Sequence, residues 1–164
     1  MQAALGKELM HELALTRRLL ERAPTEQFDW QPHPKSMTLG TLVSHMANLV
    51  GFLQMSLHGP ETDVADMKWP SSPTTTAEVL QRFDVNAANI QNALGDVDDA
   101  TFNAAWTLRR GDQTLLAMPR AVVARTLVLN HLIHHRGQMS VYLRLLDVPV
   151  PAIYGGSADE APQR

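Results

Sequence analysis

Cysteine is absent from the 164 residues of the chain. That excludes a disulfide framework, a thiolate metal ligand and a cysteine nucleophile, so any transition-metal site must be built from His, Asp and Glu. No uninterrupted apolar run approaches the roughly 18 residues of a membrane span. The N-terminal stretch also lacks the basic, then apolar, then small-residue order of a secretory signal. The expectation is a soluble, cytoplasmic protein with no membrane partner. Charge of one sign is scarce too: 14 Lys and Arg stand against 17 Asp and Glu, for a net charge of −3. The basic pairs Arg17-Arg18 and Arg109-Arg110 are short, so there is no electrostatic footprint for nucleic acid. A G-x-S-x-G elbow, a P-loop and a dinucleotide fingerprint are missing, as are internal repeats, low-complexity tracts and linkers. One domain over residues 1–164 follows, with the tail 149–164 packed on it or partly flexible. A chain of this size buries about 70% of its unfolded surface, so its stability demands no metal.

What is present is helical patterning. Leu5, Leu9, Leu13, Leu15, Leu19 and Leu20 recur among charges until Pro24, which predicts a first helix over about 2–22. A second begins near Thr38, capped by Ser36 or Thr38, and carries Leu39, Leu42, Val43, His45, Met46, Leu49, Phe52 and Leu53 before His58-Gly59-Pro60 stops it. A third follows Thr74-Thr75-Thr76 through Val79, Leu80, Phe83, Ile90 and Leu94 to Gly95. The fourth runs from about Arg120 to Leu146, where Pro149 and Pro151 forbid continuation. Between the last two, Trp106-Thr-Leu-Arg and Gln113-Thr-Leu-Leu flank Arg110-Gly111-Asp112 and predict a short β-hairpin. In the tail, Ile153 and Tyr154 are candidate anchors. Four long helices with modest connections predict an all-α four-helix bundle, interrupted only by that hairpin.

The candidate chemistry lies in histidines. His131 and His135 are spaced i, i+4, which turns both imidazoles to one side of a helix. Around His131, at 100° per residue, Ala124, Leu127, His135, Gln138, Tyr142 and Leu145 fall within about 40°, an apolar stripe. His45 shares its side of the second helix with Leu42, Leu49 and Phe52 but also with Thr41, Asn48 and Ser56, an inward but partly polar groove. Inward imidazoles have two nitrogens each to satisfy. They are either ordinary core histidines bonded to carbonyls or water, or ligands that share a metal ion.

The segment His131-Leu-Ile-His134-His135-Arg136-Gly137-Gln138 near the end of the last long helix, together with Thr38-Leu-Gly-Thr-Leu-Val-Ser-His45-Met-Ala on the second, resembles the DinB superfamily, which includes the YfiT-like proteins. The resemblance runs over nearly the whole chain, including Trp106 to Leu116 and the proline-rich tail. It implies an up-down-down-up four-helix bundle and a metal held by His45, His131 and His135, the set that helical geometry also selects. His134 fits the motif but points about 60° from His131, which suits a neighbour of the ligands better than a ligand. The resemblance further implies an enzyme: members include bacillithiol-using S-transferases and mycothiol-dependent isomerases, although many have no known reaction. The family name reflects a damage-inducible gene and no DNA-binding device.

Three neutral imidazoles leave an open coordination position, the catalytic arrangement. Zinc is the default by availability, nickel the next candidate, and imidazole suits iron and copper as well. The expected activity is that of a metal-dependent transferase or hydrolase acting on a small molecule, with a low-molecular-weight thiol as one substrate class. The rival is a non-catalytic binding module whose metal is structural or vestigial. A storage or sensor protein would want more carboxylates. Gln138, two turns above His131, is placed to hydrogen-bond a ligand or substrate. Arg136 points about 140° away, toward a salt bridge or interface, and Gly137 is expected to permit close helix packing. Asp29, Trp30 and Tyr154 sit on segments able to cover a pocket, and no general base stands out. Glu8-Leu-Met-His11 lacks the second copy a di-iron bundle needs, and His11-Glu12 lacks a histidine at position 15. His33 and His58, beside prolines, are expected to be solvated. Leu129 and Ile133, almost opposite the histidines, suggest a central helix or a subunit interface; the resemblance to a family many of whose members look like homodimers implies a homodimer.

Overall fold

The leucines of the first segment wind into α1 (Gln2–Leu20), which buries Leu5, Leu9, Leu13 and Leu19 along one side. The computed structural model describes residues 2–161. A short 3-10 turn at Thr25–Gln27 leads to α2 (Leu39–Leu57). Of the two candidate caps it is Thr38 that acts: its hydroxyl accepts the Thr41 N–H at 3.2 Å, a contact worth about 1 kcal/mol. Leu39, Leu42, Val43, Met46, Val50 and Leu53 form the buried face of α2. Gly59, at φ +68°, then turns the chain, a backbone state that glycine enters without Cβ strain. In α3 (Thr76–Gly95) the Thr75 hydroxyl accepts from the Glu78 N–H, and the Glu78 carboxylate reaches back to the N–H and hydroxyl of Thr74. Val79, Phe83, Ile90 and Leu94 supply its buried face. Helix α3 packs on α1 and α2, and the last helix also packs on α1 and α2, so the long helices share one core.

A short α4 (Asp99–Asn103) precedes β2 (Ala105–Arg110) and β3 (Gln113–Pro119), the predicted hairpin, which pairs antiparallel around Gly111. The all-α expectation is corrected here. A third strand, β1 (Glu61–Asp63), pairs in parallel with β2, giving a three-stranded sheet of order β1-β2-β3 in a mostly helical molecule. The segment Glu61-Thr62-Asp63 carries no apolar alternation, so no periodicity announces it. It is held by backbone pairing and by Arg109, which ion-pairs with both Glu61 and Asp63. Trp106 is fully buried beneath the sheet and meets Phe52 edge-on. Arg120 is buried and donates to the carbonyls of Ser56, Gly59, Thr101, Ala104 and Ala105, stitching the sheet region to the end of α2.

The last helix begins as α5 (Arg120–Val122), passes through a π-helical segment (Val123–Leu129) and ends as α6 (Asn130–Leu145). Its wider turn changes the inward stripe: Val123 and Ala124 recur as buried residues five positions later, at Val128 and Leu129, the repeat of i→i+5 hydrogen bonding. Leu129, expected opposite the histidines, is thereby drawn into the core, whereas Leu127 is only half-buried. Along α6 the buried residues are Leu132, His135, Arg136, Met139, Tyr142 and Leu143. Their centre lies about 80° from His131 at 100° per residue, so His131 marks the edge of the stripe and Leu145 is 57% exposed. The tail is tied down mainly by polar contacts. Arg18 donates to the Ala152 carbonyl, Glu160 pairs with Arg18 and Arg22, and Asp159 pairs with Arg144, while Ile153 packs partly buried on the core.

Candidate metal centre

Helix α2 projects His45, and α6 projects His131 and His135 from successive turns. The imidazoles converge: Nε2 of His131 lies 3.4 Å from Nε2 of His45 and 2.8 Å from Nε2 of His135. The rings of His45 and His135 are 4.6 Å apart and nearly perpendicular. One ligand atom from each residue lies within 4.8 Å of the others, a group able to hold a metal ion.

The donor set suits such an ion on two counts. Tetrahedral coordination with metal–nitrogen bonds of 2.0–2.1 Å sets ligand nitrogens about 3.3 Å apart; the His45–His131 pair stands at 3.4 Å and the His131–His135 pair is closer, at 2.8 Å. Two of the imidazoles, His45 and His135, are also disposed to be neutral. Burial, reinforced by His135 and His131, pushes the His45 pKa down to about 4. Burial likewise holds His135 below the usual range, against the opposing effect of its hydrogen bond to Gln138. Gln138 Oε1 lies 2.7 Å from His135 Nδ1. A carbonyl oxygen only accepts, so Nδ1 carries the proton and Nε2 turns a bare lone pair toward the other two rings.

Behind the cluster, Arg136 points away from it into a buried ion pair with Glu12 of α1, at 2.6 Å. The guanidinium also donates to the Glu12 carbonyl and meets the Tyr154 hydroxyl, which itself donates to Glu12 Oε2 at 2.7 Å. This network fixes α6 against α1 one residue after His135. His134 is exposed, with its ring 5.0 Å from that of His135, and lies outside the metal-holding group. Gly137 corrects its expectation: a Cβ there would meet nothing within 4 Å, so it enables no close packing. The close approach falls instead at Gly40, whose Cβ would meet Phe28 at 3.0 Å. His33 and His58 are exposed.

A cleft of about 590 Å³ opens beside α2, walled by the loop after α1 and by residues 72–74. His45 is shared between this cleft and the histidine cluster. Of the candidate covering residues only Asp29 lines it. The Trp30 ring instead meets Tyr142 edge-on at 5.6 Å, and Tyr154 is engaged with Glu12. Sequence reasoning missed Ser44 and Glu26 in the cleft wall. Thr41 and Asn48 were visible as polar neighbours of His45 on its helix face.

A sequence model of the DinB superfamily matches residues 8–139, from within α1 to within α6 and across all three histidines. No curated protein matches the chain. Among solved structures, a DinB-like protein from Bacillus cereus is 22% identical, with 92% of this chain and 95% of that one covered and a TM-score of 0.72. A DinB-like protein from Bacillus subtilis is 15% identical, over 90% of this chain and 96% of that one, again with a TM-score of 0.72. At these identities the likeness is one of fold.

Proposed function

The chain belongs to the DinB superfamily, and from that premise we propose that it is a metal-dependent enzyme acting on a small molecule, with a divalent ion held by His45, His131 and His135. The observation that carries this reading is the convergence of three imidazole Nε2 atoms from two helices, without a carboxylate in the group. An ion bound by three protein nitrogens supplies a Lewis acid with one position left for water, a carbonyl or a thiolate. The rest is done by the chain. Gln138 keeps the His135 proton on Nδ1, and the Arg136–Glu12 pair keeps α6 in register with α1. The cleft alongside His45 admits a small molecule to the metal side. His134, exposed beside His135, is a neighbouring group available to a bound substrate. Zinc is the ion of choice on availability and nickel the next, and the reaction class is thiol transfer or hydrolysis in the cytoplasm. A homodimer joined through the exposed Val141 and Leu145 of α6 belongs to the same proposal.

Metal analysis by mass spectrometry of the protein purified without chelators is the test. One equivalent of metal is expected in the wild type, and its loss in His45→Ala and His135→Ala with circular dichroism unchanged. A folded, metal-free wild type would overturn the catalytic reading in favour of a binding module. A screen of low-molecular-weight thiols against electrophiles then separates transfer from hydrolysis.

A further inference from the structure

The last helix is fixed by two buried arginines. Arg120 at its start donates to carbonyls at the end of α2 and before β2, and Arg136, one residue after His135, pairs with Glu12. They are 5% and 3% exposed, so both turn inward. A regular α-helix does not allow this. At 100° per residue Arg136 falls about 160° from the direction of Arg120, and Leu132 and Leu143 fall about 120° and 140° away, although both leucines are buried. The same count brings His134, Gln138 and Leu145 to within about 40° of Arg120, and all three are exposed.

Taking away one residue's turn, about 100°, restores the pattern. Leu132, His135, Arg136, Met139, Tyr142 and Leu143 then lie within about 60° of Arg120, and these are the buried residues of α6. His131 comes to about 80°, on the edge, and His134 to about 140°, facing out, as their half-buried and exposed states require. The missing turn falls in the π-helical segment Val123–Leu129. A π turn closes on the fifth residue, as the Asn130 N–H does on the Arg125 carbonyl, so it takes up one residue more than an α turn. The excess bulges outward at Arg125 and Thr126, exposed between the buried pairs Val123-Ala124 and Val128-Leu129. The Thr126 hydroxyl donates to the Val122 carbonyl at 2.7 Å, the acceptor that the N–H of residue 126 takes in a regular α-helix.

We infer that Val123–Leu129 is the alignment element of the histidine cluster: it stores one surplus residue and thereby turns α6 so that His135 faces in, His131 stands at the rim beside His45, and His134 leaves the core. Straight continuation from Arg120 would carry His131 and His134 into the core together. The inference rests on the functional reading above for what the cluster holds; the alignment itself belongs to the metal-free chain.

The test compares the wild type with two variants, one lacking Thr126 and one with an alanine inserted after it. In chelator-treated protein, proton NMR reads the Overhauser contact between the His45 and His135 rings, which stand 4.6 Å apart. Zinc affinity is then measured by competition with a chromogenic chelator. The shortened chain is expected to fold, keep the ring contact and bind zinc as the wild type does, because a regular α turn replaces the π turn and leaves both arginines in place. The lengthened chain loses the ring contact and zinc binding. The deletion is the deciding arm: a helix with no surplus residue would be turned by about 100° on shortening and would lose the contact. A shortened chain that unfolds, loses the contact or loses zinc that the wild type binds overturns the inference, as does an insertion that keeps the contact. A wild type that binds no zinc overturns the functional reading alone, since the ring contact is read without metal.

Discussion

At the scale of single residues, the cluster depends on groups that never touch the ion. Gln138 fixes which nitrogen of His135 bears the proton, and removing such a partner commonly weakens metal affinity by about 10- to 100-fold. Gln138→Leu is therefore expected to lower zinc affinity by about tenfold at least, read by competition with a chromogenic chelator, while Gln138→Glu, which keeps an acceptor, retains most of it. The depressed His45 pKa of about 4 has a sign that can be worked out. Between that value and the ordinary histidine value near 6.5, the unfolded chain takes up a proton that folded His45 refuses. Stability therefore falls as pH drops through this window. In chelator-treated protein the denaturation midpoint of the wild type should fall relative to that of His45→Ala between pH 6.5 and pH 4, and a constant difference would refute the assignment. The three histidines were legible in the sequence because helical spacing alone puts them on inward faces. Ser44 and Glu26 were not, since the cleft is made by loops folding back onto α2, and no local pattern encodes that return.

Among the elements, α6 is held to α1 by one buried ion pair, Arg136 with Glu12. Removing one partner strands a buried charge, a loss of about 3–5 kcal/mol, whereas replacing both with apolar residues is often close to neutral. Urea denaturation should show Glu12→Leu destabilised by about that amount, with Glu12→Leu combined with Arg136→Met recovering most of it. If the double variant is as unstable as the single, the pair is not the cause. The boundaries of the long helices could be read from leucine spacing, threonine caps and prolines. Two elements could not. The strand β1 has no side-chain pattern, and the π-helical turn hides in pairs five apart, Val123-Ala124 and Val128-Leu129, which a period of 3.6 misassigns. This is why Leu129 was placed opposite the histidines, as the mark of a central helix or a subunit interface, and proves to be core, and why Leu145 faces out.

For the whole molecule, the core is apolar and continuous across the long helices and the sheet, so the fold does not wait for metal. A ligand that binds only the native state at a hundredfold excess over its Kd adds about 2.7 kcal/mol, and each kcal/mol moves the melting point of a domain this size by about 2–4 °C. Chelation should therefore lower Tm by about 5–10 °C and leave a single cooperative transition in differential scanning calorimetry. Loss of the transition altogether would assign the histidines a structural role.

The smallest strand carries a delay of its own. Glu61–Asp63 can pair with Thr107–Arg109 only after the intervening chain, α3 and α4 included, has been drawn into a closed loop, and that closure draws on entropy before any hydrogen bond repays it. Local helices form without such a wait. The parallel edge thus fastens later than any single helix forms, so the segment after α2, which goes on to wall the cleft, keeps a looser timetable than the helices themselves.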